Sequence, residues 1–135
     1  MGAWDTGHFD NDTAADFSGT LDDTAPEERA ALLRETLAEA AAVAADDYLD
    51  SDVACTALAA AALVASHCPG GTPVTTAYGP QQPLPPLADL RPLAFAAVER
   101  VLAEESELAE LWDETELSAD WRAAVTALRT TLLPV

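Results

Sequence analysis

An all-α fold is the expectation for this sequence, and three observations carry it. Half of the 135 residues are hydrophobic but only 6% are aromatic, and alanine supplies much of the apolar bulk, a balance that favours closely packed helices over a sheet of β-branched side chains. Apolar residues recur at spacings of three and four in several stretches, the period of a helix that buries one face. Sustained alternation of apolar and polar residues, the mark of a half-buried strand, is not found. At this length the chain fits one domain over residues 1–135, with a core that needs no metal or disulfide staple.

The stretch that organises the rest is Val53 to Ser66, an alanine-dominated run. Ser51 is placed to cap its first free N–H groups, Asp52 suits the positive end of the helix dipole, and Pro69-Gly70-Gly71 ends it. Leu58, Ala61, Ala62 and Ala65 on one side, with Val53, Leu63 and Val64 on others, leave no polar stripe, so other helices must cover this one nearly all round. The run is shorter than the ~18 to 20 apolar residues that span a bilayer, which makes it core and not a membrane segment.

The remaining elements follow in chain order. Residues 1–12 combine glycines, aromatics and polar groups, as expected of an irregular arm pinned by Trp4 and Phe9. Asp12 is the expected cap of a short helix over Thr13 to Phe17, which Gly19 ends or kinks. Thr24-Ala25-Pro26-Glu27 has the pattern of a capping box with an early proline. It introduces a long helix from Glu27 to about Asp47, whose stripe of Leu33, Leu37, Ala40, Ala41, Ala44 and Tyr48 packs inward. An acidic turn then makes a helical hairpin with the central helix.

From Pro69 to Pro86 the chain holds six prolines and three glycines, so it reads as one long loop, anchored by Val74 and Tyr78. Asp89 is the expected cap of a helix through Pro92 to about Glu105, with Leu93, Ala97, Val98, Val101 and Leu102 facing inward. Ser106 opens a further turn bearing Leu108, Leu111 and Trp112. Ser118 caps a last helix carrying Trp121, Ala124, Val125, Leu128 and Leu132, which ends at Pro134. The expected sum is about five helices around the alanine-rich one.

Charge bounds the function more tightly than composition does. Twenty-four acids against six bases give a formal net charge of −18, and every base is arginine. A chain without lysine has no Schiff-base or P-loop lysine, and so little positive charge argues against nucleic acid as a partner. The acidic N-terminus lacks the pattern of a secretory signal, so a cytoplasmic protein is expected. Cys55 and Cys68 lie about 20 Å apart if both sit on one helix at 1.5 Å rise, which predicts two free thiols.

The opening Met1-Gly2-Ala3-Trp4-x-Thr6-Gly7-x-Phe9-Asp10-Asn11-Asp12, followed by Ala15-Asp16, resembles the start of a bacterial family, domain of unknown function 4259. Tyr48-Leu49 and Ser106-Glu-Leu-Ala-Glu-Leu-Trp112 extend the likeness over nearly the whole chain, with departures at Asp5, His8 and Phe17. The resemblance implies a compact bacterial domain without an assigned activity, and it carries over no catalytic residue.

No catalytic constellation is legible. His67 suits a helix C-terminus, and its neighbour Cys68 points elsewhere on a helix, so the pair forms no thiol–imidazole site. His8, Asp10, Asp12 and Asp16 are the candidates for a metal, although the spacing from Asp10 fits no EF-hand and capping or turn roles account for the acids. No cofactor is expected. The favoured reading is a non-enzymatic domain that binds a basic protein, as an antitoxin or immunity-type inhibitor does. Its candidate residues are Asp46, Asp47, Asp50, Asp52, Asp113, Glu114 and Glu116, dense acids at helix ends. The alternatives are a hydrolase or metal-binding protein using the N-terminal acids, and a housekeeping domain whose acidity reflects solubility or salt adaptation.

Overall fold

Residues 7–76, 78–82 and 84–133 are described by the structure, a computed structural model. Among them are six α-helices and no strand: α1 (Asp12–Asp23), α2 (Arg29–Ala41), α3 (Ser51–Ser66), α4 (Arg91–Leu102), α5 (Glu107–Asp113) and α6 (Ser118–Thr131). Single 3-10 turns at Pro26–Glu28 and Ala88–Leu90 lead into α2 and α4. The all-α expectation holds, with five helices around the alanine-rich α3.

The alanine-rich helix is the centre of the packing. α3 touches each of the other five helices, and its residues from Ala57 to Ala65 are all buried. Alanine at most of these positions lets neighbouring backbones come close on every side, while Leu58, Leu63 and Val64, each buried, contribute about 1.5–3 kcal/mol apiece. Leu33, Leu37 and Ala40 of α2, Ala94, Ala97, Val98 and Val101 of α4, and Val125 and Leu128 of α6 complete one core. Trp112 of α5 stacks on Trp121 of α6 with ring centroids 6.2 Å apart. Phe9 is buried as expected; Trp4 and Pro134 lie outside the described residues.

Several caps fall elsewhere than the sequence pattern suggests. Asp50, not Ser51, caps α3: its backbone is still extended and its Oδ1 accepts from Asp52 N at 2.7 Å, while Ser51 is already helical. Asn11, not Asp12, caps α1, with Oδ1 accepting from Ala14 N at 2.8 Å. That helix also runs through Gly19 to Asp23, because burial of Ala14, Phe17 and Leu21 along one face outweighs the conformational cost of one glycine. Thr24 makes no capping box. It closes α1, its N–H bonding to Leu21 O and its hydroxyl donating to Thr20 O, and Pro26 opens a 3-10 turn instead.

The two later caps are displaced as well. Asp89 sits inside the second 3-10 turn and pairs with Arg34 across the surface at 3.4 Å. Ser118 is the first residue of α6 and donates its hydroxyl to Asp113, leaving Leu117 in the cap position. Ser106 does occupy the cap of α5, but its buried hydroxyl has no hydrogen-bond partner.

The long second helix is shorter than expected. α2 ends at Ala41, and residues 42–50 form turns that expose Ala44 and leave Tyr48 51% accessible, so neither belongs to the inward stripe. The reason is Arg100 of α4. Its buried guanidinium donates to the carbonyls of Val43, Ala44 and Asp47, at 3.0, 3.3 and 2.7 Å, and to those of Glu104 and Glu105 at 3.1 and 3.2 Å. Carbonyls drawn to a side chain in this way are not available to continue a helical ladder. Those same bonds end α4 at Leu102, before Glu105.

The proline-rich loop lies against the helices through Val74, Leu84 and Leu87. Tyr78, expected as an anchor, is half exposed. The Asp22 carboxylate holds the loop instead, accepting from Gln81 N and Gln82 N at 2.9 Å. At its start, Gly71 presses on the last turn of α3, where a Cβ would stand 1.9 Å from Ala65 O.

Gly19 is a helical position where an added Cβ would meet nothing within 4 Å. Gly19→Ala should therefore raise stability by about 0.5–1 kcal/mol in urea unfolding. Arg100→Leu, which takes a donor from each of five carbonyls, should cost about 3 kcal/mol or more. Arg100→Lys should recover only part of that, since one ammonium cannot reproduce a planar fork.

Candidate functional site

The acids after α2 and those between α4 and α5 are some 55 residues apart in sequence but adjoin in the fold. Leu49 forms an isolated parallel bridge with Ser106, its N–H donating to Glu105 O at 2.8 Å and its carbonyl accepting from Glu107 N at 3.0 Å. The Glu107 carboxylate crosses the same seam and accepts from Ser51 N at 2.8 Å. The N-terminus of α3 thus gathers Asp50, Asp52 and Glu107, a placement its dipole favours. Beside it Asp46, Asp47, Glu104, Glu105 and Glu110 are all exposed.

Tyr48 stands among these carboxylates. Its hydroxyl is held above the usual tyrosine range, first by partial desolvation, then by the negative charge of Glu110 and a hydrogen bond to it, and then by the charges of Glu107 and Glu105. Glu105 itself has φ 58°, a left-handed conformation unusual for a side-chain-bearing residue, and that turn brings its carbonyl to both Leu49 N–H and Arg100. Glu104, Glu105 and Glu110 also border a hollow of about 440 Å³ shared with Asp113 and Arg122.

The second group of candidate acids is less uniform. Asp113 is bound to Arg122, at 3.0 Å from Nε and 2.6 Å from Nη2, and to the Ser118 hydroxyl. These bonds, the arginine's first, hold its carboxyl down at about 2. Glu114 and Glu116 are exposed in the turn between α5 and α6 and do not border that hollow. Sequence reasoning missed Tyr48 as a surface group and Glu104, Glu105, Glu107 and Glu110 as companions of the 46–52 acids, since no local pattern links segments so far apart.

All six arginines donate to backbone carbonyls or form ion pairs. Arg29 is buried and donates to Leu21 O and Asp22 O at the end of α1. Arg91 does the same for α6, reaching Leu132 O at 2.8 Å and Thr131 O at 3.3 Å. Arg100 is buried under the acidic turns. Arg34, Arg122 and Arg129 pair with Asp89, Asp113 and Glu99.

The metal candidates separate. His8 and Asp10 line a pocket between the N-terminal arm, α3, the proline-rich loop and α6, whereas Asp16 borders a different groove with Thr13, Thr20 and Asp52. Asp12 is an exposed first-turn residue of α1. Among the described residues no three His, Cys, Asp or Glu side chains gather closely enough to hold an ion.

Neither cysteine is paired with the other. Cys68 is buried with Sγ donating to Val64 O at 3.4 Å, and His67 beside it is exposed. The Cys55 thiol is pushed up to about 12, by burial first and by Asp52 and Asp50 next, which removes nucleophilic thiolate at neutral pH. No described helix is long and apolar enough to cross a membrane.

Fold and surface together define a small all-α domain with an acidic face built across two distant segments. The chain belongs to the family described as domain of unknown function DUF4259, whose profile matches residues 2–124. No curated protein and no solved structure matches it.

His8 supplies a check on this region. Burial lowers its pKa below 6.5, outweighing the opposite pull of Asp10. The folded state therefore resists a proton that the unfolded chain accepts, so its share of stability is complete above about pH 6.5 and is lost as pH falls below it. The stability difference between the parent chain and His8→Gln should be flat above that pH and shrink below it, as read from urea unfolding at a series of pH values.

Proposed function

We propose that this protein is a non-enzymatic binding domain that uses the face around Asp46, Asp47, Tyr48, Asp50, Asp52, Glu104, Glu105 and Glu110 to dock a basic protein. The observation that carries the reading is the disposition of charge. The ion pairs of Arg34, Arg122 and Arg129 are with Asp89, Asp113 and Glu99, and Arg100 beneath the face donates to backbone carbonyls, so the carboxylates of this face point outward without an arginine bound to them. Charge that served solubility alone has no need of a large exposed aromatic ring at its centre, and Tyr48 is 51% accessible there.

A tyrosine ringed by acids has the composition of an anchor with a steering rim. The ring offers amphipathic contact area at little entropic cost, and the carboxylates accelerate encounter with a positive surface. An antitoxin or immunity-type inhibitor of the bacterial cytoplasm, where Cys55 and Cys68 stay reduced, fits this chemistry. Asp113 contributes less than its neighbours, being satisfied by Arg122, and Glu114 and Glu116 are exposed without bordering the hollow.

The test is kinetic. A basic partner, isolated from lysate on the immobilised chain at low salt, should associate more slowly as the Debye length falls from about 10 Å at 0.1 M to about 3 Å at 1 M. Asp46→Lys with Asp47→Lys should lower the association rate, and Tyr48→Ala should chiefly raise the dissociation rate. An association rate indifferent to salt and to both charge reversals would refute the reading.

A further inference from the structure

The pocket beside His8 is separate from the acidic face and has a different character. It measures about 420 Å³, within the roughly 300–1,000 Å³ of small-molecule sites. Its floor is apolar, formed by Ala62 and Ala65 of α3, Leu128 of α6, Phe9 of the arm and Val74 of the loop. Thr72, Thr75 and Thr76 of the loop and Thr131 of α6 also line the pocket, with the Thr131 hydroxyl donating to Ala127 O at 3.0 Å and that of Thr76 accepting from Tyr78 N at 3.3 Å.

Two features at one end decide what such a pocket can take. Asp10 carries the only formal charge among the lining residues when His8 is neutral, and no arginine lines the pocket. Its carboxylate lies against the arm, where a Cβ on Gly7 would stand 2.2 Å from Asp10 Oδ2, and Asp10 N donates to Gly7 O at 3.1 Å. His8 Nδ1 is sealed from solvent without a hydrogen-bond partner. Burial keeps that imidazole neutral at pH 7.

We propose that this pocket binds a small primary amine with an apolar body, its ammonium on the Asp10 carboxylate and its hydrocarbon against α3 and α6. A carboxylate ligand would meet Asp10 and the field of a chain of net charge −18 with nothing positive to receive it. A neutral ligand of the same shape would leave the half-buried Asp10 charge without a counter-charge. The hydroxyl oxygens of the lining threonines are acceptors for the remaining ammonium hydrogens.

The experiment uses the full chain, isotope-labelled, titrated at pH 7.5 with 2-phenylethylamine, 2-phenylethanol and 3-phenylpropionate, which share a ring and differ in the head group. Amide signals of residues 8–10, 72–76 and 124–131 should move with the amine, which should bind at least about tenfold more tightly than either control. Asp10→Asn should lower amine affinity about ten- to a hundredfold and leave the alcohol unchanged. Ala127→Trp, at an exposed position of α6 on the rim, should abolish amine binding without disturbing the core. If Asp10→Asn fails to fold, Ala127→Trp decides. No binding of the amine, an amine no tighter than the alcohol, or amine binding indifferent to Ala127→Trp, as a cation condensed on an acidic surface would be, overturns the proposal.

Discussion

One buried guanidinium fixes more of this structure than any other single group. Arg100 meets the carbonyls of Val43, Ala44, Asp47, Glu104 and Glu105, and so joins the chain leaving α2 to the chain leaving α4. An unpaired charge at that depth is untenable, and unpaired carbonyls are costly, so each satisfies the other. Two helices end where they do because of it, and the Leu49–Ser106 bridge then closes the seam. The acidic turns are a consequence: they lie directly over the one cation that their backbones hold in place.

Arg29 and Arg91 repeat the device at the ends of α1 and α6, where free carbonyls and the negative end of the dipole favour a cation. Half of the basic residues in a strongly acidic chain are thus spent on backbone, and the other half on ion pairs that link α2 to the turn before α4, α5 to α6, and α4 to α6. Arg122 and Arg129 also lie over aromatic rings, of Trp121 at 6.0 Å and Phe95 at 5.0 Å, so their role is packing as well as charge. The carboxylates of the 46–52 and 104–110 segments are left without an arginine ion pair among the described residues.

The small side chains of α3 have a second effect. Because alanines at positions 62 and 65 fill little space, the arm, the loop and α6 can border a hollow there and still cover the helix. A leucine in either place would fill part of it. The same residues that allow close helix packing on one side leave room for a ligand on the other.

Much of the helical plan was legible in the sequence, since the alanine run, the stripes at three and four, and the proline-rich stretch are local signals with local causes. The alanine-rich core helix, the buried Phe9 and the long loop are all where those signals put them. Caps were misjudged by one residue at Asp50 and Asn11, because neighbouring polar residues offer the same chemistry and only backbone conformation selects between them. What tertiary structure alone decided was the reach of Arg100 over more than fifty residues, the premature end of α2, the exposure of Tyr48, and the meeting of two acidic segments and of His8 with α6. Each depends on groups brought together by packing. Periodicity records which face of a helix is apolar, but a hydrogen bond from one side chain to distant carbonyls leaves no period in the sequence to read.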